Sequence, residues 1–195
     1  MSEPSTTTLI REFTGGRRDA FRTLYHRIAP RLYLWAALRV PRALHARLDP
    51  EDLMQEIWLR AVAALPRFDR SIAAFRSWLF GIAARTLAEN LRHLHLRRRE
   101  RVADGDTSVL REVPADVTSV IHQVAHREQL RRLVEVIDAL PAPDRSLVVH
   151  RGLEERPHAE VARLLGIGAD AAEMRWRRLL QRLRGEWTAA GFDVE

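Results

Sequence analysis

Between Arg17 and Arg39 the apolar residues fall at Phe21, Leu24, Tyr25, Ile28, Leu32, Trp35 and Leu38, three or four positions apart. That period lays them along one stripe of an α-helix and on no single face of a strand. A second helix is predicted from about Pro50 to Ala64. Asp49 suits its N-cap, Pro50 its first position, and acidic residues fill its first turn. A third runs from about Ala74 to Arg99, with Phe75, Trp78, Leu79, Ile82, Ala83 and Leu87 on one side. Strand-like alternation is hard to find, and the chain has only 9 glycines. An all-α fold is expected.

The period breaks in two places. LPRFDRSIAA (65–74) interrupts it with a proline and an aspartate, and VADGDTSVLREVPADV (102–117) removes it for longer. Helical spacing resumes near Val120 and stops at Pro141 and Pro143, with further helices over about 143–152, 157–164 and 169–187. The prediction is two small helical domains, 10–100 and 120–188, joined by a flexible linker over 101–119. Residues 1–8 are polar and read as a frayed tail.

The formal charge is +6, and all 32 basic residues are arginine. Guanidinium forks suit phosphates and guanine edges, so polyanions are favoured partners. The chain contains no cysteine, which excludes disulfides and thiolate zinc sites. No secretion-signal pattern opens it, and no apolar run approaches the roughly 20 residues that span a bilayer. A cytoplasmic protein without membrane insertion is expected. His122 and His126 stand four apart, but with no third ligand nearby they read as a solvent-facing pair, and no metal is expected. No glycine-rich phosphate loop or nucleophile elbow is present. Neither a cofactor nor an enzyme activity is predicted.

Charge is segregated. DPEDLMQE (49–56) carries four acids and no base, whereas RHLHLRRRER (92–101) and RWRRLLQRLR (175–184) each carry five arginines. Single charge runs usually mark solvated helix faces. Three separated blocks in one small chain argue for one protein-facing acidic contact and two polyanion contacts. The last block closes EVARLLGIGADAAEMRWRRLLQRLR (160–184), which has the outline of a helix-turn-helix. Gly166 suits the left-handed end of the first helix, Ala162 the close crossing, and Val161, Leu164, Leu165, Ile167, Ala172, Trp176, Leu179 and Leu183 the core. The outward face of the second helix then carries Asp170, Glu173, Met174, Arg175, Arg177, Arg178 and Arg182.

These motifs carry a resemblance. LPAPDRSLVVHRGLEERPHAEVARLLGIGADAAEMRWRRLLQRLR (140–184) resembles region 4 of bacterial sigma-70 family factors. DPEDLMQEIWLRAVAALPRFD (49–69) and FRSWLFGIAARTLAENLRHLHLRRRER (75–101) resemble region 2. Having these two regions alone, in this order, is similar to the extracytoplasmic-function (ECF) subgroup. The resemblance implies a sigma factor that directs core RNA polymerase to promoter DNA, helps melt it, and admits an anti-sigma protein as a further partner.

It also implies site residues. Asp52, Leu53, Gln55 and Glu56 fall where the family docks on core polymerase. Phe68, Arg70, Ser71, Phe75, Arg76, Trp78 and Arg85 fall where it reads and captures the downstream promoter element. Arg92, Arg97 and Arg98 would grip backbone phosphates. Phe75 and Trp78 also fit the apolar stripe of their helix, which makes packing the simpler role for both. In region 4 the implied DNA contacts are Glu173, Met174, Arg175, Arg177 and Arg178, with Arg175 and Arg178 foremost. Several positions depart from the family: Arg85 stands where relatives often have asparagine, and Gly168, Ala171 and Glu173 where they often have serine, threonine and a base. Two rival readings follow from the residues: a helix-turn-helix regulator, or a polymerase-binding adaptor without promoter reading.

Overall fold

A computed structural model of the chain describes residues 4–69, 74–99, 128–190 and 192, and all regular structure among them is helical. By its contacts the chain forms two units: Met1–Leu24 with Val40–His122, and Tyr25–Arg39 with Gln123–Glu195. The expected linker 101–119 and the pair His122 and His126 lie outside the described residues.

The first unit opens with α1 (Thr6–Thr14), whose N-cap Ser5 accepts a hydrogen bond from the Thr8 amide. This corrects the expected frayed tail: Leu9 and Ile10 are buried, and their burial anchors residues that look merely polar in sequence. The long helix α2 (Arg18–Arg39) contributes its first turns here. In α3 (Pro50–Ala64) the Asp49 carboxylate caps the Glu51 amide at 2.7 Å and Pro50 takes the first position. Such a cap stabilises a helix by about 1 kcal/mol. α3 continues into a 3-10 turn, Leu65–Arg67, and packs on α4 (Phe75–Arg99). Leu53, Met54, Ile57, Trp58, Leu79, Phe80, Ala83 and Leu87 form the core between them. Trp58, 2% exposed, meets Phe21 edge-on.

The second unit contains α5 (Glu128–Asp138), α6 (Ala142–Leu147), a π-helical stretch (Val148–Leu153), α7 (His158–Leu165) and α8 (Ala169–Ala189). Residues 25–39 of α2 belong to it as well. Trp35 is fully buried, and its indole N–H donates to Glu154 Oε1 at 2.8 Å. Arg31 lies over the Phe192 ring. The α7–α8 junction has the expected glycine turn, but Leu164, expected in the core, is 55% exposed. Gly166 adopts φ 67° and ψ 32°, and the Ile167 amide reaches back to the Ala162 carbonyl at 3.0 Å. That is the paired closure that ends helices at a left-handed glycine. Gly168 caps α8 with no side-chain bond. Gly152, in the π-helical stretch, has a different reason to be glycine: a Cβ there would lie 2.8 Å from Trp176 Cη2 and 3.2 Å from Trp187 Cη2.

Candidate nucleic-acid and protein interface

The acidic block forms the outer side of α3. Asp52 is exposed, and Gln55 and Glu56, three and four positions on, share its face half-buried. Leu53 does not. It is fully buried, so its expected place in a partner-binding surface is corrected to the core. One residue beyond Asp52 the helix has turned about 100°, from solvent to the α4 side. Glu56 is also engaged. Its carboxylate accepts from Arg60 at 2.6 Å and from the Asn90 amide at 2.7 Å. Arg60 pairs in turn with Glu89, whose bond to Arg60 draws its carboxyl below the usual range. Arg60 was legible as the i+4 partner of Glu56. Glu89 and Asn90 were not, because they arrive from another helix.

Around the break after α3, Phe68, Phe75 and Trp78 form one aromatic cluster. Ring centroids lie 4.9 Å apart for Phe68–Trp78, 5.5 Å for Phe75–Trp78 and 5.7 Å for Phe68–Phe75. Phe75 is buried and packs the base, while Phe68 and Trp78 keep a half-exposed edge. Arg76 is half-exposed beside them. Arg85 and Arg92 are exposed at intervals of seven from Trp78, which places all three along one side of α4. Gly81 stands on the same side with open space above it. Arg70, Ser71 and the side chains of Arg97 and Arg98 lie outside the described residues.

On α8 the five predicted residues separate. Met174, Arg177 and Arg178 are exposed and Glu173 is half-exposed on the outer side. Arg178 lies 3.4 Å from the Met174 sulfur, and Arg177 pairs with Glu173 at 2.5 Å. Arg175, expected as a foremost DNA contact, is turned to the flank. Its Nε donates to Asp144 Oδ1 at 2.6 Å, and Arg182, two turns on, reaches Oδ2 at 3.3 Å. Asp144 is 9% exposed, so Arg175 and Arg182 neutralise a buried carboxylate and pin α8 to α6. Sequence reasoning missed Asp144 because nothing local marks it. It also missed His158, at the start of α7. Burial, with the charges of Arg151 and Arg177, lowers the pKa of this imidazole, and Glu173 opposes them.

No group of three or more potential metal-ligating side chains occurs among the described residues, and no described helix is long and apolar enough to cross a membrane. An aromatic-then-basic helix side and a helix-turn-helix together mark a DNA-binding protein, which also carries an acidic helix face.

The sequence comparisons with known proteins give the class. Sigma-70 region 2 matches residues 17–101, and Sigma-70, region 4, matches 130–183. RNA polymerase sigma factor CarQ of Myxococcus xanthus is 30% identical over 175 residues, covering 90% of this chain and 93% of that protein. ECF RNA polymerase sigma factor SigD of Mycobacterium tuberculosis is 28% identical over 183 residues, covering 94% and 84%. Among solved structures, the sigma factor RpoE in complex with the anti-sigma factor NepR from Bartonella quintana is 18% identical, with a TM-score of 0.45 over 86% of this chain and 96% of that one. The chain belongs to the sigma-70 family of RNA polymerase sigma factors, in its extracytoplasmic-function branch. Its function is the family's: it directs RNA polymerase to promoters.

Proposed function

We propose how the residues divide this work. Asp52, with Gln55 and Glu56 beside it, docks on core RNA polymerase. Phe68 and Trp78 offer apolar edges on which unstacked promoter bases lie, and Arg85 and Arg92 hold the phosphates of the same strand. Met174, Arg177 and Arg178 enter the major groove of the upstream element, while Arg175 supports the helix from its flank. The chain carries no catalysis of its own, works in the cytoplasm, and has an anti-sigma protein as its third partner. The observation that carries the reading is the alignment of Trp78, Arg85 and Arg92 along one side of α4 next to Phe68, an aromatic platform leading into a basic track.

The test begins at the protein-facing end. Asp52→Arg places a cation on the acidic face. Glu56→Gln removes the charge and one of the two acceptors that hold Arg60 and Asn90, and serves as a milder variant. Asp52→Arg is expected to lose core polymerase in a pull-down and to abolish promoter-specific run-off transcription, with an unchanged melting curve. Full retention of core polymerase by a folded Asp52→Arg chain refutes the docking assignment.

A further inference from the structure

Glu173 is an acid on the outer side of a helix that otherwise presents arginines to DNA. One explanation is that it reads a base, since a carboxylate can accept from a cytosine amino group. The geometry favours another. Its Oε1 is held by Arg177 Nη2 at 2.5 Å, one helical turn away. The His158 imidazole, at the start of α7, lies within electrostatic reach of Glu173, Arg177 and Arg151 of the π-helical stretch. Buried nitrogens of Arg151 and His158, Nε and Nδ1, find no hydrogen-bond partner among the described residues.

We propose that Glu173 determines specificity as a resident counter-ion: it occupies Arg177 and so denies that arginine to the phosphates of non-promoter DNA. The proposal rests on the reading of α8 as the upstream-element helix. Non-specific affinity comes almost wholly from phosphates neutralised by basic side chains. The Arg177 side chain is 74% exposed, and without Glu173 it would seize any backbone within reach. In a promoter complex the close fit draws Arg177 onto the DNA. The Glu173–Arg177 pair is solvent-exposed, so opening it costs little there. A loosely docked, non-specific complex supplies no such fit, and the Glu173–Arg177 pair persists.

The experiment uses the full chain and two labelled duplexes. One carries the upstream element of a promoter mapped by transcript-start sequencing with holoenzyme, and the other is its shuffled version. Affinity is measured from 0.05 to 0.5 M salt, values chosen as roughly the range in which phosphate contacts dominate. Glu173→Gln is expected to steepen the salt slope on the shuffled duplex by about 0.9, one phosphate's worth. The affinity of the variant for that duplex relative to wild type should then rise about eightfold from 0.5 to 0.05 M salt, with the promoter duplex changed less than about twofold. Arg177→Ala is expected to lower the slope on the promoter duplex and leave it unchanged on the shuffled one, and adding Glu173→Gln to it should change nothing further. A direct base-reading role predicts the opposite pattern: an unchanged slope and relaxed choice at one base position. That result, or an equal gain on both duplexes, overturns the proposal. If Arg177→Ala and Arg178→Ala both leave promoter binding intact, the assignment of α8 itself has failed, and this inference with it. Glu173 and Arg177 are surface residues, and melting curves verify that each variant folds.

Discussion

Glu154 offers the sharpest test of how the C-terminal helices are held. Its side chain is buried, 4% exposed, yet it is ionised. Burial by itself pushes the carboxyl up. Hydrogen bonds with His150 and Trp35, and the charges of His150 and Arg156, outweigh that and bring it to about 2, against 4.5 for an ordinary glutamate. The partners are close: Trp35 Nε1 at 2.8 Å, His150 Nδ1 at 2.9 Å and Arg156 Nε at 2.5 Å. A shift of about 2.5 units at 1.36 kcal/mol each corresponds to about 3 kcal/mol of stability. Because the folded value lies below the unfolded one, this stability is fully present above pH 4.5 and disappears as pH falls from 4.5 towards 2. Glu154→Gln imitates the protonated acid in shape and charge. It should therefore cost about 3 kcal/mol at pH 7, and the gap between variant and wild type should close on acidification. Urea unfolding of the full chain by circular dichroism, at neutral pH and at steps below pH 4.5, measures both quantities. A cost under about 1 kcal/mol at pH 7, or parallel pH profiles for the two proteins, refutes the account of a buried carboxylate sustained by its donors.

Two glycines are expected to respond to alanine for different reasons. At Gly152 the new methyl meets Trp176 Cη2 at 2.8 Å and the buried Trp187 Cη2 at 3.2 Å, so Gly152→Ala should cost about 1–3 kcal/mol by overpacking. At Gly166 no atom lies within 4 Å of the added methyl, and only the left-handed φ of 67° opposes it. Gly166→Ala should then cost about 1–2 kcal/mol from backbone strain. Thermal melts check both, and Trp176→Phe, by removing the Gly152 clash, should rescue Gly152→Ala but not Gly166→Ala.

Sequence and structure divide this protein along the range of the forces involved. The three long helices of the N-terminal half, the Asp49 cap, the proline at the start of α3 and the left-handed glycine at the α7–α8 turn are all visible in the sequence. Each is decided by residues within about four positions of one another, where spacing and side-chain chemistry act alone. The family resemblance was equally legible, since two motifs in the right order carry it. The depth of each side chain was not. Leu53 and Asp52 are neighbours in the chain, and only the packing of α4 on α3 sends one inward and leaves the other out. Ser5 and the residues after it look like a tail until Leu9 and Ile10 find a core.

The charged groups divide most clearly of all. Arg175 looks like a DNA contact in any reading of its own helix, but Asp144, 31 residues away, accepts from its guanidinium. Glu56 meets Asn90 across 34 positions, and Trp35 meets Glu154 across 119. The sequence alone determined which segments coil and that one block is acidic and two are basic. Tertiary structure decided which of those charges face a partner and which neutralise one another, because a buried or half-buried charge must find its counterpart wherever the fold brings it.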